Sequence, residues 1–474
     1  MNHWILDSVA ERSVTALKTA DRIQIHQQLL HTGDPLNATP NATFDASSDA
    51  TFDIAPLRDV AVMLELAALD LILERFEEDD DKLKLMRECA ADAFRLLRVL
   101  PQNDNPISNA IALLRMSALA VLGDKGSDAA RLLRQQAWQL PLESKNWGER
   151  TWAGIIDVWL RLFRKKGWED RDCVLASVAR LRDAQSEFEA KYLGEIDPAH
   201  AKHAALELIG LYHLAKAAEI FALFITDGVV DGNYQVRQLL DTHFDRVLAV
   251  CDVTPMLELE PLTRLLAAAS AQMVENSIWT VTRAVNSRVT QFVRALVDRG
   301  RGDRALFDML PPQRRSLAEK GLLGSSRRAV VVSLPTSSGK TLIAQFRILQ
   351  ALNQFDAEDG WVAYLAPTKA LVNQVTRQLR RDFSALSTPI IVEQVSPALE
   401  VDSIEMSLLQ QTDKAYQFRV LVTTPEKLDL MIRQGLEKKM GRPLSLVVVD
   451  EAHTIQSANR GLKLELLLAT INKE

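Results

Sequence analysis

Cysteine is scarce in this chain: three in 474 residues, Cys89, Cys173 and Cys251, far apart and with no CxxC pair. That excludes a disulfide framework and a cysteine-based zinc ribbon, and it points to a reducing, cytoplasmic setting. Long uncharged apolar runs are lacking as well. The best candidate, residues 204–230, is interrupted by Glu207, His213, Lys216 and Glu219. It falls short of the ~18 uncharged residues that a bilayer span needs, so no membrane partner is expected. The opening residues, MNHWILDSVAERS, lack the charged-then-apolar layout of a secretory leader. Strand-like alternation is nearly absent before residue 329, and no repeat of about 34 or 40 residues can be aligned. The net charge of −6 is small, and its split is mild: −10 over residues 1–300 and +4 over residues 301–474. Global charge therefore decides nothing about nucleic acid.

What is present divides the chain into four parts. Residues 1–31 form an amphipathic helix, with Trp4, Leu6, Val9, Val14, Leu17 and Ile23 at helical spacing. Residues 32–56, rich in Asp, Asn, Ala, Ser and Thr with prolines, read as a linker or disordered loop. Its Asn37-Ala-Thr and Asn41-Ala-Thr triplets are chance sequons in a chain without a leader. Residues 57–300 read as an irregular all-α accessory domain, with apolar residues at i, i+3, i+4 and i+7 in segments such as 60–76, 82–100, 108–122, 129–140 and 199–225. Within it, Trp138, Trp147, Trp152, Trp159 and Trp168 alternate with Arg161, Arg164, Lys165 and Lys166. Aromatics among cations can stack on bases. However, Trp152, Ile155, Ile156, Trp159, Leu162 and Phe163 share one helical face, which favours a core, with a protein interface as the next alternative.

From residue 329 the texture changes to β-rich runs followed by helical stretches: AVVVSL (329–334), WVAYLA (361–366), PIIVEQV (389–395), VLVTT (420–424) and LSLVVVD (444–450). Such runs suit strands buried on both faces of a parallel sheet with helical crossovers. The fold class is therefore α plus α/β, with residues 301–474 as a phosphate-loop domain.

The first run leads into Leu334-Pro-Thr336-Ser337-Ser338-Gly339-Lys340-Thr341 and then a helix. A turn of small residues at a strand-to-helix junction points its N–H groups at one spot, and the helix dipole adds positive charge, so the turn cradles phosphate. Lys340 can reach the β- and γ-phosphates, and the Thr341 hydroxyl can ligate Mg²⁺. The strict pattern GxxxxGK[ST] has glycine first, where this chain has Leu334. Further on, Leu446–Val449 runs into Asp450-Glu451-Ala452-His453. An apolar strand ending in two carboxylates suits Asp450 as holder of Mg²⁺ and Glu451 as the base that deprotonates the attacking water.

Together, PTSSGKT, APTKALVNQ (366–374), TTPEKLD (423–429) and VVVDEAH (447–453) resemble motifs I, Ia, Ib and II of superfamily 2 helicases. The DEAH tetrapeptide, the TTPEK form and RGLKLELLLATI (460–471) resemble the superkiller-like branch. The resemblance covers residues 305–474 and implies a first RecA-like lobe that binds ATP and Mg²⁺. It implies backbone contacts to nucleic acid from Thr368, Lys369, Thr424 and Lys427, and a coupling role for His453. It further implies adenine recognition by Gln313, with Phe307 stacking on the base. DNA is favoured over RNA as the nucleic acid.

The chain stops 21 residues past His453, before any Ser-Ala-Thr motif or second lobe with its arginines. A longer motor, or a second half supplied in trans, is expected for turnover. A superkiller-like motor with a long helical extension resembles the helicase subunit of Hachiman-type antiphage systems, which implies antiviral defence and a nuclease or other effector docking the helical region. The competing reading is a non-enzymatic helical scaffold whose lobe senses nucleotide and binds a partner protein.

Overall fold

The computed structural model describes residues 3–32, 54–73, 80–101, 105–135, 138–144, 146–191, 197–233, 235–254, 256–282, 286–298, 306–319, 321–323, 329–335, 338–386, 388, 390–394, 418–433, 435, 441–457 and 460–471. Nearly all of the expected linker, 32–56, lies outside these residues. The chain divides into two compact units, one of residues 1–277 and 300–307, the other of 278–299 and 308–474.

The first unit is all helical in its described residues: α1 (Trp4–Thr32), α2 (Ala55–Leu73), α3 (Asp80–Leu97), α4 (Pro106–Leu122), α5 (Gly126–Gln135), α6 (Trp147–Arg164), α7 (Trp168–Lys191), α8 (Pro198–Asp227), α9 (Val236–Val253) and α10 (Leu259–Asn276). Local chemistry sets the ends. Asn105 caps α4 by accepting from the Ile107 and Ser108 amides at 2.9 and 3.2 Å, with Pro106 at the first helical position. Asn146 caps α6 in the same way, accepting from Glu149 N–H. Gly123 ends α4 where α3 passes so close that a Cβ would sit 2.5 Å from the Ala91 nitrogen.

Trp159 is core and Trp138 a clasp, while Trp147, Trp152 and Trp168 are half-buried; the helical-face reading of that segment expects such a core. Trp159 is fully buried, with ring centroids 5.9 Å from Phe244 and 6.4 Å from Phe163. Trp138 donates its indole N–H to Asp157 at 2.8 Å while the Arg164 guanidinium lies over its ring at 4.8 Å. Arg161 and Arg164 are spent on the buried carboxylates of Asp157 and Asp170. Such cations are not available to phosphate. The α8 helix departs from expectation: by length and composition it could cross a membrane. Its apolar window is 72% buried within the protein, the condition of a core helix.

The second unit contains α11 (Ile278–Thr282), α12 (Ser287–Asp298), the short α13 (Pro311–Arg314), α14 (Lys340–Gln354), β1 (Trp361–Leu365), α15 (Lys369–Phe383), β2 (Val392–Gln394), β3 (Val420–Thr423), α16 (Pro425–Arg433), β4 (Leu444–Val449) and α17 (Arg460–Ile471). Residues 278–299 read as part of the helical region by periodicity. They sort here because Phe292 packs edge-on against Phe346 and Phe383 at 5.5 and 5.8 Å.

The sheet is parallel throughout, in the order β2-β3-β1-β4. Every residue of the central β1 is buried, as a strand covered on both faces must be. Trp361, Phe418, Leu428, Leu464 and Leu467 form its core on one side. This is the helical region plus RecA-like parallel-sheet lobe expected of the fold class. One expected strand is missing: residues 329–335 form no ladder, and Val330, Val331 and Val332 are 43%, 90% and 39% exposed. A β-rich run becomes a strand only when a neighbour supplies hydrogen bonds, and among the described residues none does.

Candidate nucleotide and nucleic-acid site

The site lies at the carboxyl edge of the sheet, where the ladders run on past the strand ends. Asp450 N–H donates to the Leu365 carbonyl at 2.9 Å, and Ala366 N–H donates to Thr423 O at 3.0 Å. Loops from β4, β1 and β3 are thereby held side by side, the usual place for ligands in open α/β sheets. The α14 helix packs on β1 and β4. Its C-terminal end lies where the strands begin, with the Leu352 carbonyl accepting from Arg419 just before β3, so its N-terminus points toward the carboxyl edge.

At that N-terminus Gly339 has φ of +76°, and a Cβ there would stand 2.2 Å from Gln313 Nε2. Only glycine fits. Ser338 is buried, its hydroxyl donating to the Pro335 carbonyl at 2.7 Å. Lys340 is exposed and Thr341 half-buried in the first turn of α14. Thr336 and Ser337 lie outside the described residues. Gln313 is buried, with its amide N–H on the Ser338 carbonyl at 3.0 Å and its amide oxygen accepting from Leu310 N–H at 2.9 Å. In this structure Gln313 braces the turn, while Phe307 is buried at 5% exposure and offers no open ring face.

Asp450 follows β4 with both carboxylate oxygens engaged. The Tyr364 hydroxyl donates to one at 3.0 Å and the Glu451 amide donates to the other at 3.0 Å. Burial, with the Asp450 charge next in weight, pushes the Tyr364 phenol far above its ordinary pKa, so it stays a donor. Tyr364 did not figure in the sequence reading. The available signal was one hydroxyl in an otherwise apolar run, WVAYL. Glu451 is exposed, in the left-handed region at φ +51°, with a carboxylate oxygen 3.1 Å from His453 Nδ1. A non-glycine residue held there carries backbone strain of the sort that clusters at working sites.

Thr368 caps α15 by accepting from Leu371 N–H at 3.3 Å, leaving Lys369 exposed in the first turn. On the neighbouring loop the carbonyl of Thr424 starts α16, one turn before Lys427. Partial burial and then the Lys369 charge hold the Lys427 ammonium below its ordinary pKa. Two like charges brought together this way attract an anion.

The donor set suits a magnesium nucleotide. Thr341 and Asp450 are hard oxygen donors of the kind Mg²⁺ takes, and the glycine turn supplies N–H groups without a side chain. Residues 311–474 match the DEAD/DEAH box helicase family. A stretch of 166 residues is 32% identical to ATP-dependent DNA helicase Hel308 of Methanocella arvoryzae, covering 35% of this chain and 20% of the relative. Over 150 residues the identity to ATP-dependent DNA helicase MER3 of Saccharomyces cerevisiae is 31%, covering 31% of this chain and 12% of the relative. DExH-box ATP-dependent RNA helicase DExH14 of Arabidopsis thaliana is 29% identical over 147 residues, 30% of this chain and 6% of the relative. The chain thus spans a fifth or less of the length of these relatives.

Proposed function

We propose that this chain is the ATP-binding portion of a nucleic-acid helicase or translocase. The observation that supports the reading is that β4, β1 and β3 end side by side, with Asp450–Glu451, Thr368–Lys369 and Thr424–Lys427 following them, in a unit that also holds the glycine turn at the head of α14. Thr341 and Asp450 would hold Mg²⁺, which when bound supplies charge neutralisation on the phosphates. Lys340 binds the phosphates, Glu451 takes the proton of the attacking water, and His453, paired with Glu451, links that carboxylate to the nucleic-acid side. Thr368, Lys369, Thr424 and Lys427 grip the phosphate backbone, which positions without reading sequence.

Completion of turnover requires arginines from a second RecA-like lobe, in the same polypeptide or in trans. Two of the relatives above carry DNA in their names and one RNA; we favour DNA. The finer reading is a superkiller-like motor of a Hachiman-type antiphage system in the cytoplasm, with a nuclease or other effector docked on the helical unit. Its supports are the motif style, the helical unit and three free cysteines. The scaffold alternative is disfavoured by Glu451, which a sensor does not need. The deciding experiment is nucleotide hydrolysis by the full gene product with and without single- and double-stranded DNA and RNA. Stimulation by nucleic acid is expected, and its loss in Glu451→Gln with binding retained identifies the base.

A further inference from the structure

Inside the α/β unit one polar atom is placed where the core alone would not ask for it. Tyr364 is 2% exposed at the fourth position of a strand that is buried throughout, in register with Val422 and Val448 on its neighbours. Phenylalanine would fill that space equally well. A hydroxyl there carries a desolvation cost unless it finds a partner, and the partner is the Oδ2 of Asp450 at 3.0 Å. The other oxygen, Oδ1, is met by the Glu451 amide at 3.0 Å. With its own N–H committed to Leu365 O, Asp450 is fixed at three points, and the carboxylate has one orientation to present.

We propose that Tyr364 is a positioning residue for Asp450, setting the rotamer in which that carboxylate receives a divalent cation and its waters. The inference rests on the reading of Asp450 as the Mg²⁺-side carboxylate given above. A hydroxyl that donates to one oxygen spends one lone pair and leaves the others for a cation. It also fixes in advance the side-chain torsions that cation binding would otherwise have to fix. Partners of this type, behind a metal-binding carboxylate, change metal affinity by about 10–100-fold when removed.

The test is magnesium dependence of nucleotide binding by the full chain, read from a fluorescent ATP analogue without reference to turnover. In Tyr364→Phe the half-saturating Mg²⁺ concentration should rise about tenfold, while analogue binding in EDTA and the melting temperature stay close to wild type. Incorporating 3-fluorotyrosine at position 364, which keeps ring and hydroxyl, should restore the wild-type requirement. Asp450→Asn should raise the requirement by itself, and adding Tyr364→Phe to Asp450→Ala should change nothing further, since without an acceptor at 450 the hydroxyl has nothing to position. A raised requirement in Asp450→Asn with none in Tyr364→Phe overturns the positioning role and leaves the nucleotide site standing. No effect from Asp450→Asn overturns the reading of Asp450 and this inference with it. Equal weakening in EDTA and in Mg²⁺, with a lowered melting temperature, would make Tyr364 a packing residue only and overturn the proposal.

Discussion

The two units of this chain differ in where the cations nearest their most suggestive motifs are spent. In the helical unit polar groups are turned inward on each other: Arg161 and Arg164 on Asp157 and Asp170, Arg115 on the buried Glu65, the Trp138 indole on Asp157, His213 on His243. In the α/β unit Lys369, Glu451 and His453 follow the ends of β1 and β4, and Lys340 opens α14, all four exposed. Charge spent internally stabilises or specifies a fold. Charge left facing outward from a rigid sheet is available for ligands. Abundance of aromatic and basic residues thus points to the wrong unit, and geometry at strand ends points to the right one.

The largest break in that comparison should come from Lys340→Ala: nucleotide affinity falls about 100-fold, because a charge-assisted contact to phosphate is lost, while the melting temperature holds. Titration with a fluorescent ATP analogue checks it. Trp159→Ala should do the reverse, destabilising the helical unit by about 3–5 kcal/mol in denaturant unfolding and leaving nucleotide affinity intact. Next in size, Gly339→Ala forces a Cβ into a left-handed turn against Gln313, at a cost of about 1–2 kcal/mol, so analogue binding should weaken roughly tenfold.

Acid should single out the helical unit. Burial, then the neighbouring His213 charge, then Arg246 and Lys216, push His243 down to about 4. Between the ordinary histidine value and about 4 the unfolded chain therefore binds more protons than the folded one. Stability should fall as pH drops through that window, and His243→Gln should flatten the fall in melting temperature against pH. The smallest effect belongs to the lysine pair. Each of Lys369→Ala and Lys427→Ala should reduce the slope of log affinity against log salt by about one unit for an oligonucleotide of any sequence. With its pKa lowered, Lys427 loses charge at lower pH than an ordinary lysine, so oligonucleotide affinity should decline earlier on the alkaline side.

Where periodicity and a motif spoke together, the residues alone were enough to read the fold. The helix after Gly339, the strands at 361–365 and 444–449 and their parallel pairing needed no coordinates, whereas the strand order did. Three things were not legible, each because it depends on a partner distant in sequence. The valines at 330–332 have the composition of a strand, but strand formation belongs to a pair of segments. Gln313 is expected on resemblance to recognise adenine, and its bond to the Ser338 carbonyl, which spans 25 residues, shows only in the structure. Tyr364 reads as one more core aromatic until its hydroxyl is seen against Asp450, 86 positions away. The Trp138–Trp168 stretch was decided by the burial of Trp159 and by the carboxylates that occupy Arg161 and Arg164, since stacking platforms and packed cores share a composition.

The valines have a practical consequence for anyone purifying this protein. AVVVSL is an uncharged segment rich in β-branched residues and without proline, outside any described element, with Val331 almost wholly in water. It shares its domain with β4, an apolar strand at the margin of the described sheet. Open margins and sticky extended segments recruit the same features from other molecules. Solutions of the isolated chain should therefore cloud with rising concentration, and light scattering should reveal assemblies that grow on standing. A single lysine at position 331 would act as a gatekeeper, extending shelf life without touching a folded contact.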